Sequence, residues 1–241
     1  MVRNLVKFSL GLLYFRGRGK MRNFFCDCFP SPDNKLLKFS SGIRNNPNKD
    51  EAFKKATQWL SSMSRDISID SNGLSMPSYS VAAMHFLDER LKKEMKVFEF
   101  GSGLSSLFYA RKCKSVTSIE HNQEWFEKIT SHEIKNLAIF LKNLNSENGD
   151  YEKAIFNFDE QYDLIVVDGR NRNKCIFNCI KKLTDSGVLI LDDSHREKYL
   201  PGKQFLEEQG FKSIKMFSPA SSKLTFTETT FFYRTKNCLE I

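Results

Sequence analysis

The chain lacks any uninterrupted apolar run long enough to cross a bilayer. Its most apolar early stretch, residues 5–15 (LVKFSLGLLYF), is short and is broken by Lys7. A secretory leader is one reading of it, although no convincing small-x-small cleavage site follows. Six cysteines fall in no disulfide or zinc pattern: Cys26 and Cys28 form a C-x-C with no matching pair. Cys175 and Cys179 stand one helical turn apart, as packing residues do. Free thiols fit a reducing compartment, and the expected location is cytoplasmic. There are no internal repeats and no low-complexity tract. Residues 1–26 lack any acid but carry Arg3, Lys7, Arg16, Arg18, Lys20 and Arg22. That arm accounts for six of the net charge of +8 and leaves only +2 for the rest. A basic groove for nucleic acid across the whole protein is therefore not indicated. The arm has two readings. It is a basic amphipathic segment for contact with an anionic membrane surface, peripheral rather than spanning, or it is a helix packed on the domain.

What is present is organised around Lys96 to Ala110, KVFEFGSGLSSLFYA. Alternating apolar residues (Val97, Phe98, Phe100) run into Gly101-Ser102-Gly103, and Leu104, Leu107 and Phe108 then recur at helical spacing. This predicts strand, tight turn and helix start. The two glycines allow a sharp turn and close approach of a ligand to the main chain, while Ser102, Ser105 and Ser106 offer caps and hydroxyls. A pyrophosphate-binding turn needs a third glycine, but that position is Ser106, and no phosphate-binding lysine follows. Glu99, just before the glycines, would repel a pyrophosphate and suits a cation. The next strand, SVTSIE, ends in Glu120, 21 residues after Glu99, close to the roughly 20-residue interval expected of a ribose-binding acid. The electrostatics favour S-adenosylmethionine (SAM), a nucleoside with a sulfonium and an ammonium and no phosphate, over a nicotinamide dinucleotide.

Taken together, VFEFGSGLSSLFYA, SVTSIEHNQEWFEKI, YDLIVVDGRNRNKC and GVLILDDS resemble the class I SAM-dependent methyltransferases. The similarity is closest to a bacterial branch with P-x-Y upstream, FEFGSG in the first motif and VDGR-x-R-x-x-C after the fourth strand. It covers about residues 76 to 235. The resemblance implies that Pro77 and Tyr79 belong to a lid. It implies that SAM is held by Tyr79, Glu99, Gly101, Ser102, Gly103, Ser105, Glu120, His121 and Asp168. Trp125 is placed either near the adenine or in the core, and His85 and His132 are surface or core residues on helices.

The expected fold is α/β: a Rossmann-like, doubly wound, mainly parallel sheet of about seven strands with an antiparallel C-terminal hairpin and a helical N-terminal extension. Strands are expected near 96–101, 115–120, 137–142, 162–168 and 187–192. Helices are expected near 51–64, 80–93, 103–112, 122–134, 172–184 and 201–209, and the hairpin at 211–217 and 223–234. Residues 1–75 form the arm, a Pro/Asn/Ser-rich linker and the helical extension, and 76–241 form the SAM-binding domain. The ligand is expected at the carboxyl ends of the strands.

Asp168 ends the fourth strand, and Asp192 and Asp193 end the fifth. Strands lie about 4.8 Å apart, so these acids converge on one rim and need something positive between them. The candidates are a divalent cation, the SAM cation, or Arg170 and Arg172. The arrangement is similar to the O-methyltransferases that act on catechols and related phenols, which implies Mg²⁺ at Asp168, Asp192 and Asp193, although Asp193 stands where that group has Asn. The candidate catalytic residues are Asp168, Asp192 and His195, the last as a general base. The expected reaction is O-methylation of a small-molecule or glycan hydroxyl. The alternatives are a nicotinamide-dependent oxidoreductase, a differently reacting enzyme on the same fold, or a non-catalytic relative. No Asn-Pro-Pro-aromatic motif for base methylation is present, and nucleic acid is not an expected partner.

Overall fold

The computed structural model describes residues 62, 67–70, 72–144, 149–223 and 225–241. The basic arm, the Cys26–Cys28 pair and the helix expected at 51–64 lie outside the described residues. Helix α1 (Val81–Arg90) leads into β1 (Lys96–Phe100), α2 (Leu104–Lys112), β2 (Ser115–Glu120), α3 (Gln123–Thr130) and β3 (Leu137–Leu141). A 3-10 turn (Ala154–Asn157) precedes β4 (Tyr162–Val167), α4 (Arg172–Cys179) and β5 (Leu183–Leu191). Then come α5 (Leu200–Glu208), β6 (Lys212–Pro219) and β7 (Phe226–Tyr233). The seven strands lie in the order β3-β2-β1-β4-β5-β7-β6. The first five are parallel, while β7 runs antiparallel between β5 and β6.

The central strands are buried on both faces, and their alternation sorts side chains into two cores. Phe98, Phe100, Ile165, Val167, Leu189 and Leu191 pack on one side with α4 and α5. Val97, Leu164, Val166, Val188 and Ile190 pack on the other with α1 and α2. Each fully buried Phe contributes about 1.5–3 kcal/mol of transfer free energy. Glu99 shares the second face, a carboxylate among apolar neighbours. Sequence order reverses between β1 and β4, which opens a crevice above the carboxyl ends there.

Three boundaries differ from expectation. Helix α4 stops at Cys179, a 3-10 turn (Ile180–Lys182) follows, and β5 starts at Leu183 rather than near 187. The β4–β5 register shifts between Tyr162 and Leu164. At Gly187 a Cβ would lie 2.8 Å from Leu183 Cδ2, so the chain folds closely over itself in an irregularity that glycine permits. Helix α3 ends at Thr130, before Glu133 adopts φ 49°. Cys175 and Cys179 are fully buried core residues. Burial pushes both thiols well up from the ordinary range, and pushes that of Cys113 up to about 12. Among the described residues no helix is long and apolar enough to cross a membrane.

Candidate functional site

The glycine turn is built from below. Glu99 is wholly buried and accepts hydrogen bonds from Ser105 Oγ at 2.5 Å, from Ser106 Oγ, and from Ser118 Oγ at 3.0 Å. Ser105 and Ser106 open α2, and Ser118 lies on β2, so one carboxylate binds three elements together. Desolvation raises its pKa to about 7 against the pull of the three hydroxyls. Sequence reasoning set Glu99 against the ligand; in the structure it is fully buried and supports the turn from inside, with both oxygens taken by hydroxyls of α2 and β2. Ser106 Oγ also accepts from the Gly103 N–H at 3.0 Å, fixing the helix start.

The two glycines do different things. Gly101 has φ +94°, and a Cβ there would meet Gly169 Cα and N at 2.7 Å. Its lack of a side chain lets the turn after β1 touch the turn after β4, so here the close approach is between two stretches of protein backbone. Gly103 is extended, and its nearest hypothetical contact is Ser105 Oγ at 3.9 Å. The open space that a ligand could use is therefore at Gly103.

Glu120, at the end of β2, is buried at 3% exposure. Its Oε1 accepts from the backbone N–H groups of His121 and Asn122, both at 2.8 Å, and Ser102 Oγ donates to Oε2 at 3.3 Å. A carboxylate offers about four lone-pair sites. Three are used, one of them by a long bond, so Oε2 has capacity for an added hydroxyl. His121 Nδ1 lies 2.8 Å from Oε1, and its ring meets the edge of Tyr151 with centroids 6.0 Å apart. Ser102, Glu120 and His121 are therefore joined at the end of β2, with the fully buried Tyr151 behind the histidine ring.

Asp168, Asp192 and Asp193 do converge beyond β4 and β5. Arg172 Nη2 donates to Asp168 Oδ1 at 2.9 Å, and Arg196 Nη2 lies 2.5 Å from Asp193 Oδ2. Thr229 Oγ donates to Asp192 Oδ1 at 2.7 Å, and Thr227 Oγ to Asp193 Oδ1 at 3.0 Å. The metal reading does not fit this donor set. Among the described residues no group of three metal-ligating side chains is gathered, and each aspartate spends an oxygen on a protein donor. Of the two arginines expected to neutralise the acids, Arg172 does so, whereas Arg170 is exposed. Arg196 and the two hairpin threonines were missed. Arg196 stands three residues after Asp193 and was readable as an i,i+3 partner, but the threonines come from 34 and 37 residues away and leave no local signal.

Burial raises the carboxyls of Asp168 and Asp192. Arg172 opposes the shift at Asp168, and proximity to Asp168 adds to it at Asp192. Asp168 is the more open of the two, with 26% of its side chain exposed, and its Oδ2 takes no donor among the described residues. Asp192 is sealed under Thr229, whose hydroxyl also accepts from Ser80 N at 3.2 Å. His195 is exposed in the turn after β5 and stands apart from the buried acids. Tyr79 is fully buried, its hydroxyl 3.2 Å from that of Tyr109. The strap that carries it is pinned by Ser221, which donates from N to Tyr79 O and from Oγ to Pro77 O, each at 3.0 Å. Trp125 is exposed, with Lys128 Nζ 4.5 Å from its ring centroid, and so is not a core residue. A separate cavity of about 500 Å³ opens at the amino ends of β2 and β3, lined by Val116, Phe140, Phe158 and Tyr162. It lies away from these groups.

No family model and no curated protein matches the chain. Solved structures do. A precorrin 8w decarboxylase from Methanobacterium thermoautotrophicum is 15% identical with TM-score 0.51, over 71% of this chain and 98% of that one. A precorrin-6y C5,15-methyltransferase from Geobacter metallireducens is 13% identical with TM-score 0.48, over 70% and 98%. A putative methyltransferase from Streptococcus mutans, solved with SAH, is 16% identical with TM-score 0.46, over 64% and 96%. At these identities the likeness is one of fold alone, a Rossmann-like α/β sheet.

Proposed function

We propose that the protein is a SAM-dependent methyltransferase acting on a hydroxyl oxygen of a small molecule or glycan. One observation carries the cofactor reading: the buried carboxylate of Glu120 at the end of β2, with an oxygen that has capacity for a further hydroxyl, beside the uncrowded backbone of Gly103. The donor set fits SAM. Glu120 Oε2 and Ser102 suit a ribose hydroxyl, the partly exposed ring of His121 beside them offers a face for a base, and the free oxygen of Asp168 suits a cation. A pyrophosphate at Gly103 would face the carboxylate of Glu120, whose partners are all neutral donors.

Bound SAM would supply a methyl group on a sulfonium leaving group. The protein's task is then alignment and exclusion of water rather than bond polarisation. Glu99 keeps the turn rigid from beneath. Asp168 balances the positive end of the ligand, and the Tyr79 strap closes the crevice over the carboxyl ends. The oxygen preference follows from the resemblance to O-methyltransferases, a fold-level warrant. Incubation with methyl-labelled SAM and a panel of phenols, sugars and amines tests it. Label is expected in methyl ethers, and transfer only to nitrogen or carbon would overturn the oxygen assignment.

A further inference from the structure

Arg172, the first residue of α4, is buried at 7% exposure. A guanidinium removed from water must find acceptors for its rigid fork of donors. Here Nε donates to Gly169 O at 3.0 Å, and Nη2 donates to Asp168 O at 2.7 Å and to Asp168 Oδ1 at 2.9 Å. Nη1 donates to Asp192 O. The guanidinium carbon sits 5.1 Å from the centroid of the Tyr199 ring, and Asp193 Oδ2 is 3.9 Å from Nη2. One side chain therefore ties the turn after β4 to the turn after β5. Each turn contains a non-glycine residue in the left-handed region, Asn171 at φ 49° and Asp193 at φ 52°. Such conformations persist where surrounding contacts hold them.

The hydrogen bonds have a direction. Three go to backbone carbonyls and one to a single carboxylate oxygen, so Asp168 Oδ1 is held, while Oδ2 takes no donor among the described residues on a side chain that is 26% exposed. We infer that Arg172 is the positioning residue for cofactor binding, setting the orientation of Asp168 so that its free oxygen meets the positive end of SAM. This rests on the proposed function for the identity of the ligand, but the geometry of the clamp does not depend on it. A lysine could replace the charge, but it could not reach three carbonyls and a carboxylate at once.

The test is calorimetric titration of SAM into the full chain, with thermal melts of the same variants. Asp168→Asn is expected to weaken SAM about tenfold, the effect of losing one partly exposed charge contact. Arg172→Met should weaken it at least as much, and the double variant should be no worse than Arg172→Met. Arg172→Lys should recover part of the loss. Full additivity, or unchanged SAM affinity in a folded Arg172→Met protein, would overturn the inference and leave the cofactor reading intact. If Arg172→Met does not fold, Arg172→Lys with and without Asp168→Asn supplies the same comparison. A wild-type protein that ignores SAM sinks the proposed function and the ligand half of the inference. The melts still decide the clamp, because coupling between positions 168 and 172 is expected there and strict additivity would refute it.

Discussion

The acids on the two sides of the crevice are satisfied in opposite ways. After β1 and β2, Glu99 and Glu120 are held by serine hydroxyls and backbone amides, all neutral donors. After β4 and β5, Asp168 and Asp193 are held by Arg172 and Arg196. Neutral donors stabilise a carboxylate without cancelling its charge, while guanidinium groups largely cancel it. The β1–β2 side therefore keeps the charge of Glu120, which suits a cationic nucleoside, while the β4–β5 side sets two guanidinium groups against three aspartates, with Asp192 capped by Thr229. One of its groups stays open: Asp168 Oδ2 takes no donor among the described residues.

The sharpest way to break this comparison is at the glycines where the two sides touch. Gly101→Ala places a methyl against Gly169 backbone at a φ that alanine resists. It should cost about 3 kcal/mol or more. Gly103→Ala, in open space, should change stability by less than about 0.5 kcal/mol while weakening SAM. Chemical denaturation reads both, and equal costs would mean that the two glycines are not divided as described.

A somewhat smaller effect probes the neutral side alone. The folded-state carboxyl of Glu99 is raised to about 7 from 4.5, so the folded protein holds a proton there that the unfolded chain releases. Its contribution is fully present below about 4.5 and is lost as pH rises through about 7. The full swing is about 3 kcal/mol for a shift of this size. Glu99→Gln should remove that slope, so that the wild type loses stability relative to the variant between these pH values. Parallel stability curves would show that Glu99 is not desolvated as placed.

Much of this architecture was legible in the sequence. Strands buried on both faces announce themselves as near-continuous apolar runs, and VFEF, SVTSIE, YDLIVV and GVLIL all emerge as strands. The start of β5 was not legible, because TDSG carries no β pattern and the register shift at Gly187 is a property of the pairing with β4. In the site, the glycine turn and the two glutamates were readable from spacing. Their different depths were not, since whether a strand-end acid points up or down depends on which face of the sheet it occupies. Glu99 shares a face with Val97 and lies under α2, whereas Glu120 ends its strand. The pairing of Asp192 and Asp193 with Thr229 and Thr227 is set by a hairpin that closes from the far end of the chain.

The most direct test of the charge kept on the β1–β2 side is calorimetry of the wild type and Glu120→Ala with SAM and with NAD⁺. The account predicts one saturable SAM site in the wild type, no NAD⁺ binding, and SAM binding weakened about 10- to 100-fold in Glu120→Ala, as expected for losing a charged hydrogen bond to a sugar hydroxyl. NAD⁺ binding with SAM ignored, or SAM affinity indifferent to Glu120, would contradict it.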